Sequence, residues 1–112
     1  METYFIIDKF GYLKIGRSLN SNIRIGQLKT ANPHIICSWY INGNYEKILH
    51  KYFKYYRYKG EWFNLTKEYI ISKSLMSYKH WLIHEVMLTI NAYNSNKIND
   101  LDNIRLNRYI IK

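Results

Sequence analysis

Lys14, Arg17 and Arg24 are grouped around Gly16 in the stretch KIGRSLNSNIR, and the next carboxylate along the chain is Glu46. Those residue types suit work on a phosphodiester. Its hydrolysis needs an activated water, neutralisation of the charge building on the phosphoryl group and stabilisation of a departing oxyanion. A glycine lets the backbone approach a phosphate closely, and Arg17 beside it supplies charge. The guanidinium fork of Arg24 can hold phosphate oxygens bidentately, although a solvated helix residue would read the same way. Glu46 is the only acidic residue between Asp8 and Glu61. A lone carboxylate suits Mg²⁺, which keeps most of its waters and takes one or two protein oxygens; an acid complementing the dipole of a helix's first turn accounts for it equally well. His50 stands one helical turn further on, where it could polarise a metal-bound water, bond a phosphate or simply occupy a helix surface.

Other chemistries find less support. His80 and His84 are also one turn apart, but HWLIH has no glutamate where a metalloprotease of the HExxH kind needs its general base. Cys37 is the single cysteine, which excludes an intramolecular disulfide and a multi-cysteine zinc site and favours a reducing, intracellular compartment. The chain carries 17 Lys and Arg against 8 Asp and Glu, a net charge of +9, and such a field attracts polyanions. Nucleic acid is favoured over a membrane. No apolar run approaches the roughly 20 residues of a spanning helix, and METYFIID lacks a signal core. Twelve tyrosines could stack bases, but abundant Ile, Lys, Asn and Tyr together look like a coding bias, so most are assigned to a core and its rim.

The elements that must position these residues are readable in outline. TYFIIDKFGYLKIG predicts a β-hairpin turning at Gly11, with strands near 3–8 and 12–16. LNSNIRIGQLKTANP predicts a short helix capped by Asn20 or Ser21 and stopped at Asn32-Pro33. HIICSWYING reads as a third strand, and NYEKILHKYFKYYR as an amphipathic helix capped by Asn44. YKGEWFNL ends that helix at Gly60 and returns aromatic side chains to the core. From Thr66 helical spacing resumes, as one long helix or two shorter ones. The polar break NSNKINDLDN then precedes a tail, IRLNRYIIK, fit to be a helix, an edge strand or a partner-binding arm. The expected fold class is α+β: a small three-stranded antiparallel sheet flanked by helices, a ββαβα core over residues 1–65. A helical C-terminal extension over 66–112 would pack on the core or bind DNA or a partner.

The order of these pieces resembles the GIY-YIG nuclease superfamily, in its compact phage and viral branch with KIG in the second strand. The matching parts are TYFI, LKIGRS, NIRI, ANP, YEKILHKYF and GEWF, running from Tyr4 to about Leu65. The resemblance implies a DNA endonuclease dependent on Mg²⁺ or Mn²⁺. It places Tyr4, Lys14, Arg24, His50 and Glu46 in the catalytic set, with Glu46 as metal ligand, Lys14 standing where many relatives have a tyrosine, and Tyr4 orienting or activating the water. Arg17, Lys29, Lys51 and Lys54 are the candidate nucleic-acid contacts. DNA is the implied partner, with a homodimer possible, and the implied location is the cytoplasm or the interior of a host cell. Two other classes fit the same residues: a catalytically inactive nucleic-acid-binding or regulatory module, and a small interaction protein working through its C-terminal helices.

Overall fold

The computed structural model describes residues 1–95. The tail IRLNRYIIK and nearly all of NSNKINDLDN lie outside the described residues. The chain divides into two compact units, Met1–Leu65 and Thr66–Lys112.

In the first unit, strand β1 (Glu2–Asp8) turns into β2 (Tyr12–Ser18) through a loop organised by Asp8. One Asp8 carboxylate oxygen accepts from the backbone N–H groups of Phe10 and Tyr12, at 2.9 and 3.0 Å. Gly11 supplies the left-handed residue, with φ +90°. Helix α1 (Ser21–Ala31) follows, capped by Asn20, whose side chain accepts from Ile23 N–H. Strand β3 (Ile35–Asn42) returns antiparallel on the other side of β1. Helix α2 (Glu46–Tyr52) is shorter than the helical spacing predicts, and the Asn44 side chain does not cap it; Tyr45 stands at that position with no side-chain cap. Past Phe53 the chain makes a 3₁₀ turn, Lys54–Tyr56.

The sheet is the main correction to the sequence reading. It has five antiparallel strands, not three, in the order β3-β1-β2-β5-β4. The two extra strands, β4 (Arg57–Lys59) and β5 (Trp62–Asn64), come from the segment read as a helix end and an aromatic return to the core. Three residues are too few to display the alternation that betrays a longer strand. Gly60, read as a helix stop, is instead the first of two loop residues in a hairpin, with φ +55°. Strand β5 then pairs with β2, placing Lys14 opposite Trp62 and Leu13 opposite Phe63. The class remains α+β.

Directly opposed residues share a face, so register sorts the side chains. Tyr4, Ile6, Lys14 and Gly16 point to the front, where Tyr4 and Ile6 pack with Ile25 of α1. Thr3, Phe5, Leu13, Ile15 and Phe63 point to the back and are fully buried. Leu49 on α2 and Phe53 just past its end are buried too. Both helices begin at the same end of the sheet, and β1 fixes each of them there. Glu2 accepts from Ser21 N–H at 2.8 Å and so tethers the start of α1. Thr3 holds the approach to α2: its hydroxyl donates to the Gly43 carbonyl at 2.7 Å and accepts from Tyr45 N–H at 2.8 Å.

The second unit contains α3 (Thr66–Ser72) and α4 (Tyr78–Asn94), two helices rather than one. Lys73, at φ +51°, breaks the path, and Ser77 caps α4 by accepting from His80 N–H. Tyr69, Tyr78 and Trp81 form an aromatic cluster between them. Among the described residues no helix is long and apolar enough to cross a membrane.

The Thr3 clamp yields a stability test. Thr3→Val removes the hydroxyl at nearly constant volume and takes the Thr3 partner from a half-buried donor and acceptor, costing about 1–3 kcal/mol in urea unfolding. Thr3→Ser retains the hydroxyl and is expected to recover most of that loss.

Candidate active site

Gly16 lies between the β2 residues that meet His50 and Glu46. It lies directly opposite Tyr4 in the β1–β2 ladder. The tyrosine ring lies over the glycine so closely that a Cβ built there would overlap Tyr4 Cζ and Oη. The Tyr4 hydroxyl is thereby held against the β2 backbone, while the ring is 2% exposed. The glycine therefore makes room for the tyrosine, and the surface above it is not open to a phosphate from the front.

On either side of Gly16, β2 meets α2. Ile15 N–H donates to the Glu61 carbonyl at 3.1 Å, and an antiparallel strand directs a residue's N–H and C=O the same way. Strand β5 extends no further in this direction, so the Ile15 carbonyl faces an unpaired edge of β2, where His50 Nε2 meets it at 2.9 Å. A carbonyl can only accept, so Nε2 carries the proton. Nδ1 of the neutral ring is then an acceptor, matched by Arg57 Nη2 at 3.1 Å. Phe63 packs edge-on against the same imidazole at 5.0 Å. His50 therefore docks α2 onto the edge of β2. One turn earlier on that helix, Glu46 Oε2 lies 3.7 Å from Arg17 Nε, with the glutamate side chain 21% exposed and the arginine 59%. Residues 15, 16 and 17 thus meet His50 at the strand edge, Tyr4 on the front face and Glu46 on the back.

The remaining candidates stand apart from this cluster. Lys14 shares the front face with Tyr4, but its ammonium is held by Glu61 at 3.1 Å and lies over the Trp62 ring. Arg24 is exposed on α1, with one guanidinium nitrogen 3.5 Å from Gln27 Oε1. Two residues along a helix is a rotation of about 200°, so Arg24 is on the flank away from Asn22. Asn22, which bonds Tyr40 Oη at 3.2 Å, overhangs β3 with Gly26 and Lys29 around a cavity of about 390 Å³. That leaves Arg24 on the β2 side, the side of Gly16. Lys51 and Lys54 are exposed, at the end of α2 and in the turn beyond it.

The acidic and imidazole groups set limits on what the site could hold. Among the described residues no three His, Cys, Asp or Glu side chains come together as a metal cage. A single, partly exposed carboxylate beside an arginine fits Mg²⁺ or Mn²⁺, which can retain most of its waters, better than zinc, which takes three or four protein ligands. Glu46 is the residue that could bind such an ion. His80 is engaged with the Ser77 hydroxyl at 2.8 Å, within its own helix cap.

Sequence reasoning missed the residues that set the geometry: Glu2, Thr3, Arg57 and Glu61. Their partners are distant in sequence or depend on the unrecognised β4–β5 hairpin. Only Thr3 lay beside a flagged residue, and nothing in its type distinguished it.

The Tyr4–Gly16 contact is open to a double-mutant cycle in chemical denaturation. Gly16→Ala is expected to cost about 1–3 kcal/mol by overpacking. In a Tyr4→Leu background the same change should cost clearly less, because the ring it strikes is gone.

The family model for the T5orf172 domain matches residues 3–76. The match covers the sheet from its second residue onward, with α1, α2 and α3. No curated protein and no solved structure matches the chain. With well over half its length matched, the chain belongs to the T5orf172 domain family, a domain associated with phage and endonuclease-like proteins.

Proposed function

We propose that the protein is a DNA endonuclease of the GIY-YIG type, dependent on Mg²⁺ or Mn²⁺, that hydrolyses phosphodiester bonds by water attack. The observation that carries this reading is the pairing of Glu46, at the start of α2, with the exposed guanidinium of Arg17 on β2, on a helix that His50 docks to the nearby Ile15 carbonyl. Family membership and the net charge of +9 support it.

Glu46 would hold the divalent ion, which when bound supplies Lewis-acid stabilisation of charge on the phosphoryl oxygens. The chain's own groups have separate tasks. Tyr4, buried with its ring over Gly16, is a positioning residue that fixes the β2 segment carrying Arg17. Arg17 is more than half exposed and is shared between Glu46 and an incoming phosphate. Arg24, on the β2 flank of α1, meets the charge that develops in the transition state. His50 is a positioning residue, because both ring nitrogens are used in holding α2 against β2. Lys14 adds positive potential to the front face while paired with Glu61.

The test is a nicking assay on supercoiled plasmid with Mg²⁺ or Mn²⁺. Glu46→Gln and Arg24→Ala are each expected to lower the rate by about 100-fold or more. Equal nicking by all three proteins would sink the proposal. Salt-sensitive binding without cleavage by any of them would mark a non-catalytic binding module.

A further inference from the structure

From Lys47 to Gly60 the chain has Lys47, Lys51, Lys54, Arg57 and Lys59 and no acidic residue. Among these are Tyr55 and Tyr58, which are 84% and 63% exposed, far beyond what a core or rim aromatic shows. The local structure holds them out. The 3₁₀ turn carries Tyr55, and the Lys54 ammonium lies 5.0 Å from the centre of its ring. Tyr58 sits in β4, the edge strand, every residue of which is exposed. One side of its ring is stacked on Tyr12 at 4.6 Å with 17° between planes, which fixes the ring's direction. Arg57, next to it, is anchored by His50 and Phe63. The result is a strip with two presented rings bordered by cations.

We propose that this strip, running from the end of α2 through the β4 edge, binds an unpaired nucleic-acid strand, with bases stacking on Tyr55 and Tyr58 and phosphates meeting Lys51, Lys54 and Lys59. This rests on the nucleic-acid reading above, and it adds which form of the polymer the surface takes. The charge complements a polyanion. Exposed ring faces distinguish a single strand from a duplex, whose bases are already stacked on one another and offer a protein only their edges and backbone. Stacking on an aromatic ring contributes about 1–3 kcal/mol per base and is indifferent to sequence. The strip lies beyond the far end of α2 from Glu46, so it would grip a strand outside the scissile position. A frayed, displaced or flapped strand next to the cut is the substrate form it favours.

The experiment is fluorescence anisotropy of labelled oligothymidylate and of a duplex of equal length, with the full chain in EDTA so that cleavage plays no part. The Tyr55→Ala, Tyr58→Ala double variant is expected to lose at least tenfold in affinity for the single strand and less than twofold for the duplex. The corresponding double Phe variant should stay within threefold of wild type for both. Replacing Lys54 and Lys59 by Gln should reduce the slope of log affinity against log salt by about 0.7 per cation. Unchanged single-strand affinity in the Ala variant, equal loss for both forms, or no oligothymidylate binding by wild type would overturn the proposal. Binding intact with no plasmid nicking would count against the nuclease reading alone, and the reverse would count against the strip alone.

Discussion

The close packing of Tyr4 on Gly16 is the constraint on which the candidate site depends. It is a matter of register: the two residues are directly opposed in the β1–β2 ladder, so only a glycine on β2 leaves space for the ring. A slip of one residue would send Tyr4 to the back face and bring Phe5 forward, removing the hydroxyl from this surface. The turn at Asp8 and the antiparallel pairing of β1 on both sides hold that register. The same strand reaches both helices, through Glu2 at the start of α1 and Thr3 at the approach to α2. One interior strand therefore carries the tyrosine and fixes where the arginine and glutamate helices begin.

The edge of β2 does the rest. Strand β5 covers only part of its length, and the uncovered Ile15 carbonyl is taken by His50. A backbone acceptor left by one short strand becomes the docking point of a helix. Because Glu46 is one turn before His50, that hydrogen bond and the Thr3 clamp at the helix's approach together set the carboxylate beside Arg17. The shortness of β5 is thus tied to the position of the acidic group. Arg57, in the short strand β4, fixes the imidazole tautomer from the other side. The hairpin at the sheet's edge and the site at its end are mechanically connected.

Much of this was legible in the sequence, and the reasons for the misses are local. The β1–β2 hairpin, α1 and β3 were readable because β-branched runs, Gly11 and the Asn20 cap are short-range signals. Helical spacing in NYEKILHKYFKYYR overran α2, since the aromatic residues at 53 and 56 keep the period after the helix has given way to a 3₁₀ turn. The RYK and WFN strands are each three residues long, and the Gly60-Glu61 pair between them could be read as a helix stop just as well as a hairpin loop. The candidates Tyr4, Arg17, Glu46 and His50 could be named from type and family order, but not the packing of Tyr4 on Gly16, because a ring lying over a backbone is a tertiary contact. The role of Gly16 was taken to be phosphate access, and the structure gives that space to Tyr4.

The central claim is that Glu46 offers a divalent-ion position next to the segment of β2 on which Tyr4 rests. Paramagnetic broadening by Mn²⁺, followed by NMR on the full chain, tests it most directly. The account predicts that substoichiometric Mn²⁺ broadens the amide signals of Ile15, Gly16, Arg17 and Glu46 and the ring signals of Tyr4 first, and that Glu46→Gln abolishes this without altering the fold. Broadening centred elsewhere, or unchanged in the Glu46→Gln protein, would contradict it.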